Sequence, residues 1–195
     1  MSFFDTLKNL TFGTIKAINQ TRTGTSQLQT WEFEFERLPE DLEQLKALNI
    51  CDLTKPQNTA AMTLLALCVF PKSKEECYRM IEFLNGPTVM SPREKQFLND
   101  RFMEGQGYVP YSYFEGAVPE NNYTPDKPYR LIISEQANSR DDLSIGYLTL
   151  YFKSGGADTA RHVKLRRKES TGEWFLYEQF LMVSIRRPAS EDPWA

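Results

Sequence analysis

The chain contains one histidine and three cysteines, which limits the chemistry that its side chains could perform. A Ser/His/Asp or Cys/His mechanism would have to use His162, the only imidazole. His162 follows Arg161 on a predicted strand, and Lys164 lies on the same outward side. Nearby cations disfavour a charged imidazolium. We therefore predict a largely exposed His162 ring with an unshifted or lowered pKa, outside any catalytic triad.

Other catalytic patterns are weak or missing from the sequence. It contains no P-loop, GxGxxG, GxSxG, HExxH or CxxC pattern, and adjacent carboxylates such as Asp141 and Asp142 do not by themselves converge in a pocket. Cys51, Cys68 and Cys77 are typical of unpaired thiols in a reducing compartment. We predict no catalytic residue, no metal site and no cofactor, and we expect a cytoplasmic protein.

Two local patterns are candidates for binding. The turn that follows residue 153 could offer backbone N–H groups to an anion, with Arg161 as a charged partner. The segment 108–123, called here the tyrosine-rich segment, has the most unusual composition, and tyrosine is favoured at pockets and interfaces. The simpler interpretation of both patterns is structural: a tight hairpin turn, and an irregular segment held by aromatic packing. The candidate ligand- or partner-binding residues are Tyr108, Tyr111, Tyr113, Tyr123, Ser154, Gly155, Asp158 and Arg161.

The helices that would position these residues occupy the first half of the chain. Capping-box patterns at 54–57, 73–76 and 91–94 each precede an apolar periodic run. The run at 56–70 is apolar on almost all sides and predicts a buried central helix with Leu65 at its core. Asn85-Gly86-Pro87 predicts a helix end with Gly86 in a left-handed conformation. Residues 2–18 predict a short amphipathic helix from spacings that include Ile15 and Ile18.

Strand patterns occupy the second half, together with one earlier segment. Residues 28–36 alternate aromatic and glutamate side chains, as expected of a strand with one buried face. Further strands are predicted at 129–135, 145–153, 161–168, 174–178 and 181–187. Short connections between them favour antiparallel pairing.

These elements predict an α+β protein in which a helical block packs on a curved antiparallel sheet. Residues 1–38 form an N-terminal helix and strand appendage, and 39–195 form a single domain. Within that domain we expect helices at 39–104, an aromatic loop at 105–127 and the sheet at 128–188. The element order is similar, by analogy, to nuclear-transport-factor-like folds, which suggests a cone-like sheet.

The second half of the chain contains a set of short motifs, which are NYTP (122–125), PY (128–129), KSGGAD (153–158) with Arg161, LRRK (165–168), WFL (174–176), IRRP (185–188) and SEDPW (190–194). Together they resemble an uncharacterised family, a domain of unknown function associated mainly with Gram-positive bacteria. The resemblance spans about residues 40–195, leaves 1–35 outside, and implies no activity or cofactor.

Composition restricts the possible partners. The 195 residues are 41% hydrophobic and carry a net charge of −3, which is typical of a globular protein without a basic field for nucleic acid. No apolar run reaches the length of a membrane span. We favour a non-enzymatic binding or interaction module, with a protein or a small anionic ligand at the tyrosine-rich segment and the sheet. The alternative is a small-molecule enzyme with a pocket between helices and sheet, using His162 or a carboxylate.

Overall fold

A six-stranded antiparallel sheet in sequential order β1-β2-β3-β4-β5-β6 forms one layer of the protein. The computed structural model describes residues 15–20, 28–103 and 105–192, the first of these ranges by backbone alone. The strands are β1 (Ile15–Gln20), β2 (Leu28–Phe35), β3 (Tyr129–Ser134), β4 (Tyr147–Phe152), β5 (Arg161–Lys168) and β6 (Glu173–Gln179). The helices, between β2 and β3, are α1 (Leu42–Lys46), α2 (Pro56–Val69), α3 (Lys74–Asn85) and α4 (Pro92–Met103).

The predicted α+β class is confirmed, with one qualification about order. The sheet begins before the helical block, because β2 pairs with β3 and its side chains Trp31, Phe33 and Phe35 enter the common core. The division of the chain at residue 38 stays a prediction. The predicted helix at 2–18 is wrong where the structure describes it, since Ile15 and Ile18 lie in β1; residues 1–14 are outside the described range.

The core lies between α2 and the inner face of the sheet. Residues 58–69 of α2 are all buried, and Leu65 is fully buried as its pattern predicts. Facing it are alternate residues of the strands, such as Leu131, Leu150 and Val163. Because α2 has no polar face, it can be placed only at the centre of the fold.

Helix boundaries follow local chemistry in two of the three predicted capping boxes. The Ser73 hydroxyl accepts a bond from the Glu76 N–H, but the Glu76 carboxylate accepts from the Leu42 N–H while the Ser73 N–H donates to Val69, so this box is only half formed. Ser91 and Glu94 cap each other reciprocally. The predicted box at 54–57 is wrong. The Thr54 hydroxyl instead bonds Asp52, and Lys55 occupies the N-cap position without a side-chain bond.

Gly86, which follows α3, has φ +63, the positive φ that its Asn-Gly-Pro context predicts, although its ψ of −117 lies outside the left-handed helical region.

The predicted strand at 181–187, after β6, is wrong, because residues 181–186 form no ladder. We call residues 181–186 the C-terminal strap.

The first half of β3 does not pair with β4. Only Ile133 and Ser134 pair with β4, and Phe114 forms an isolated bridge with Leu131. The Gly155 N–H donates to the Ser112 carbonyl oxygen at 2.9 Å. The tyrosine-rich segment is therefore inserted between β3 and the turn that follows β4, and this insertion determines where its side chains lie.

Candidate functional site: an apolar groove at the sheet edge

An apolar groove separates β6, the last strand of the sheet, from α4. Its cavity volume is about 270 Å³. The floor is formed by α2 and α3, and five consecutive residues of the β6 end form one wall. The lining residues are Leu67, Ile81, Asn85, Met90, Arg93, Glu94, Phe97, Leu98, Leu176, Tyr177, Glu178, Gln179 and Phe180.

The α4 wall is a surface helix, and its contacts with the rest of the fold include the Phe102 ring stacked on Phe70 at 4.0 Å. Leu98 is its only buried residue, and Phe97 beside it is partly exposed to the groove. The helix begins at Pro92, where the Glu94 carboxylate accepts a bond from the Ser91 N–H at 2.7 Å and the Ser91 hydroxyl accepts one from the Glu94 N–H at 3.2 Å. This box satisfies backbone donors that the helix itself cannot, so it stabilises the wall.

The opposite wall carries an irregularity in the sheet. Lys164 pairs with Glu178 while Leu165 pairs with Leu176, so Tyr177 is an extra residue in β6. A bulge of this kind bends a strand and redirects its side chains. Tyr177 and Phe180 are 46% and 41% exposed at the mouth of the groove. The groove thus has an apolar interior and an aromatic mouth.

Aromatic and cationic side chains continue from this mouth across the outer face of the sheet. The Tyr147 ring meets Tyr177 edge-on at 5.0 Å between centroids, and Lys164 Nζ lies 5.0 Å from the Tyr147 centroid. Lys164 also bonds the Asp142 carboxylate at 2.7 Å. Sequence reasoning missed this set because its aromatic members come from strands on either side of β5.

His162 belongs to the same outer face. Its ring packs between Phe180, at 4.6 Å, and Tyr151, at 5.6 Å, and is partly buried rather than largely exposed as predicted. Burial lowers the pKa of His162, with Glu178 acting in the opposite direction and the cations Arg161 and Lys164 acting with it. The predicted direction of the pKa is confirmed, but its main cause is desolvation and not the neighbouring cations.

The predicted tyrosines lie away from the groove, and two of them bind the C-terminal strap. The Tyr113 hydroxyl donates to the Leu181 carbonyl oxygen at 2.6 Å, and the Tyr123 hydroxyl donates to that of Arg186 at 2.7 Å. The Tyr123 ring stacks on Tyr108 at 5.0 Å. Burial raises the pKa of Tyr113, and it raises the pKa of Tyr123 to about 12. These hydroxyls are therefore held as neutral donors.

The fourth tyrosine and the glycine-rich turn have other partners within the chain. The Tyr111 hydroxyl lies 3.5 Å from the Cys68 carbonyl oxygen, and burial raises its pKa to about 12. The Ser154 hydroxyl bonds that of Ser112 at 2.8 Å and accepts a bond from the Gly156 N–H at 3.0 Å. This turn folds back on itself and on the tyrosine-rich segment.

Arg161 and Asp158 complete the attachment of the strap. The Arg161 guanidinium donates to the carbonyl oxygens of Val183 at 2.9 Å and Ser184 at 2.7 Å, as well as to Thr159. The Asp158 side chain is 90% exposed and lies 3.4 Å from the Arg186 guanidinium. Arg161, a candidate charged partner for an anion, thus has backbone oxygens of the same chain as acceptors.

The structure brings the predicted residues together only in part. A depression of about 400 Å³ lies beside the tyrosine-rich segment, lined also by Ile132 and Lys153. Of the eight predicted residues, Tyr113 and Gly155 line it. Whether this region binds a ligand stays a prediction.

The three cysteine thiols and the buried Glu135 carboxylate pack within the fold. Cys51, Cys68 and Cys77 are unpaired, and burial raises the pKa of Cys77 to about 12, which disfavours a thiolate. The buried Glu135 carboxylate binds Arg140 through two bonds of 2.9 Å. Within residues 15–20, 28–103 and 105–192, no group of three or more His, Cys, Asp and Glu side chains could hold a metal ion.

Comparison with known proteins defines a class but no activity. A family model described as "Domain of unknown function (DUF6935)" matches residues 37–189. The chain therefore belongs to this family. No curated protein and no solved structure matches the chain, so the cone-like analogy stays a prediction. In the described part of the chain, no helix has the length and apolar character needed to cross a membrane.

Proposed function

We propose that this domain is a non-enzymatic binding module and that its ligand-binding surface is the groove between β6 and α4. The observation that carries this proposal is the apolar cavity of about 270 Å³, rimmed by the exposed rings of Tyr177 and Phe180. Binding sites are typically concave and apolar, with few polar groups that fix orientation. Exposed apolar surface of this kind costs solubility unless a partner uses it.

The enzymatic alternative requires convergent polar groups in the same pocket. The groove contains two carboxylates, and that of Glu94 caps α4 through Ser91. His162 contacts the aromatic mouth from the outer face, and it is not among the residues that line the cavity. We therefore favour recognition over catalysis. A bacterial cytoplasm is part of the proposal, and the three unpaired cysteines support its reducing character alone.

The test uses an apolar fluorescent probe, anilinonaphthalene sulfonate, followed by fluorescence and by methyl NMR shifts. We expect saturable binding with shifts concentrated at Leu67, Met90 and Leu176. Phe97→Gln should weaken binding by about tenfold or more, a loss of ~1.4 kcal/mol. The matched control is Met103→Gln on the same helix. Met103 is 83% exposed and lies outside the groove, so this variant should bind normally.

Two results would overturn the proposal. One is the absence of saturable binding to the folded protein. The other is a set of shifts confined to the depression near Ile132 and Lys153, with binding lost in Tyr113→Phe and retained in Phe97→Gln. That second result would instead support the tyrosine-rich segment as the binding region.

A further inference from the structure

The β6 edge presents backbone groups to the groove as well as side chains. In an antiparallel pair, successive residues direct their N–H and C=O groups alternately toward and away from the partner strand. The Trp174 N–H points away from β5, because it donates to the Leu53 carbonyl oxygen at 2.7 Å. The alternation then directs the N–H and C=O of Leu176 away from β5 as well, and Leu176 lines the groove.

The protein already adds a backbone partner to the first part of this edge. Besides the Leu53–Trp174 bond, the Thr59 hydroxyl donates to the Trp174 carbonyl oxygen at 2.8 Å. Both backbone groups of Trp174 are therefore satisfied from within the chain. The next residue whose backbone groups face away from β5 is Leu176, which lies at the groove, beyond the part of the edge that Leu53 and Thr59 bond. A partner in the groove would therefore continue the backbone pairing that begins at Trp174.

Resting on the proposed function, we propose that the occupant of the groove is an extended segment of another protein, which adds to β6 as a further strand. A segment of this kind supplies an acceptor and a donor to Leu176 while its alternate side chains enter the apolar cavity. The four steps from Leu176 to Phe180 span ~13 Å, which matches about four residues of an extended peptide.

The side chains along the groove favour a particular peptide chemistry. The interior positions Leu67, Ile81 and Leu98 are aliphatic and buried, which suits an aliphatic or aromatic anchor. At the rim, Arg93 and Glu178 carry opposite charges on the two walls. The peptide should therefore carry an apolar residue at the anchor position and polar residues at the alternate positions, which face solvent.

The experiment is panning of a random-peptide display library on the full chain, with counter-selection on Phe97→Gln. An enriched peptide is synthesised and each backbone nitrogen is methylated in turn, which removes one donor and leaves the protein unchanged. We expect losses of about tenfold or more at alternate positions and little change between them. The Leu176 amide should also become protected from hydrogen exchange in the complex.

Each other result has a definite meaning. Peptides that need Phe97 but tolerate methylation at every position would overturn strand addition and leave the proposed groove function intact. If the probe binds but no peptide is enriched, the inferred occupant of the groove changes from a peptide to a small apolar molecule. The absence of both peptide and probe binding would overturn this inference together with the proposed function.

Discussion

The tyrosine-rich segment and the β6 groove place aromatic side chains in opposite circumstances. In the first region, the hydroxyls of Tyr113 and Tyr123 donate to backbone oxygens of the C-terminal strap. In the second, the rings of Tyr177 and Phe180 are exposed beside an apolar cavity. The first region therefore contributes to folding, and the second retains surface that a partner can cover. An unusual composition in a sequence indicates aromatic contacts, but only the fold shows whether the contacted group belongs to the same chain.

The largest expected effect tests the close packing of the first region. A Cβ at Gly155 would collide with the Ala117 carbonyl oxygen, and the Gly155 N–H is already bonded to Ser112. Since both neighbours are backbone, Gly155→Ala should destabilise the fold by about 3 kcal/mol in urea unfolding. In the control Gly107→Ala, the nearest atom is 3.4 Å away on Pro71, and the change should be neutral or stabilising by up to ~1 kcal/mol. Equal losses of stability in Gly155→Ala and Gly107→Ala would contradict the close packing described at Gly155.

Two tyrosines of the same segment provide the second test. The Tyr113 hydroxyl is buried and bonded at 2.6 Å, whereas that of Tyr111 lies 3.5 Å from its acceptor. Tyr113→Phe leaves the Leu181 carbonyl without this donor and should cost about 1–2 kcal/mol in urea unfolding. Tyr111→Phe should cost less than about 0.5 kcal/mol. If Tyr111→Phe lowers the free energy of unfolding more than Tyr113→Phe does, the bond from the Tyr113 hydroxyl is not what holds the strap.

Much of the fold was predictable because its signals are local. These signals include the Ser91–Glu94 box, the absence of a polar face on α2 and the alternation of β5. Each of them depends on neighbours within a few residues. The failed strand at 181–187 had a convincing alternation of Leu181, Val183 and Ile185. The donors that bind its carbonyl oxygens come from distant side chains, among them Tyr113 and Arg161, so no ladder forms there. This competition cannot be inferred from the segment itself.

The groove could not be predicted from the sequence for a related reason. Its two walls, α4 and β6, are separated along the chain by the tyrosine-rich segment and three strands. Nothing in the sequence of β6 shows that it lies at the sheet edge, because its alternation would fit an interior strand equally well. The feature that indicates the groove is the exposure of Tyr177 and Phe180, and exposure can be assessed only once the fold is known.

A smaller effect concerns the α4 wall of the groove. Ser91→Ala removes a reciprocal capping box and should cost about 1 kcal/mol. Because α4 buries only Leu98, we expect faster hydrogen exchange in its first turn and weaker probe binding. The control Ser73→Ala removes a single 3.3 Å cap bond from α3 and should leave probe binding unchanged. Weaker binding in Ser73→Ala alone would mean that binding is sensitive to α3, in the floor of the groove, and not to α4.

The smallest expected effect is the pH dependence contributed by His162, whose ring contacts Phe180 at the groove mouth. Burial lowers the pKa of His162 in the folded protein, while the unfolded chain keeps a value of about 6.5. As the pH falls through about 6.5, the unfolded state therefore takes up a proton that the folded state resists, and stability decreases until the pH reaches the folded pKa. Above that window the contribution is constant.

The measurement is the urea midpoint of the wild type and of His162→Gln at about pH 7.5 and about pH 5.5, on either side of the unfolded pKa. The wild type should lose more stability on acidification, because glutamine has no proton to bind and the carboxylates contribute equally to both proteins. A wild type that instead gains stability relative to His162→Gln would mean that Glu178 dominates and raises the pKa of His162. The imidazole would then be a charged partner of a carboxylate at the groove mouth, and the preference for recognition over acid–base chemistry would lose its main support at this residue.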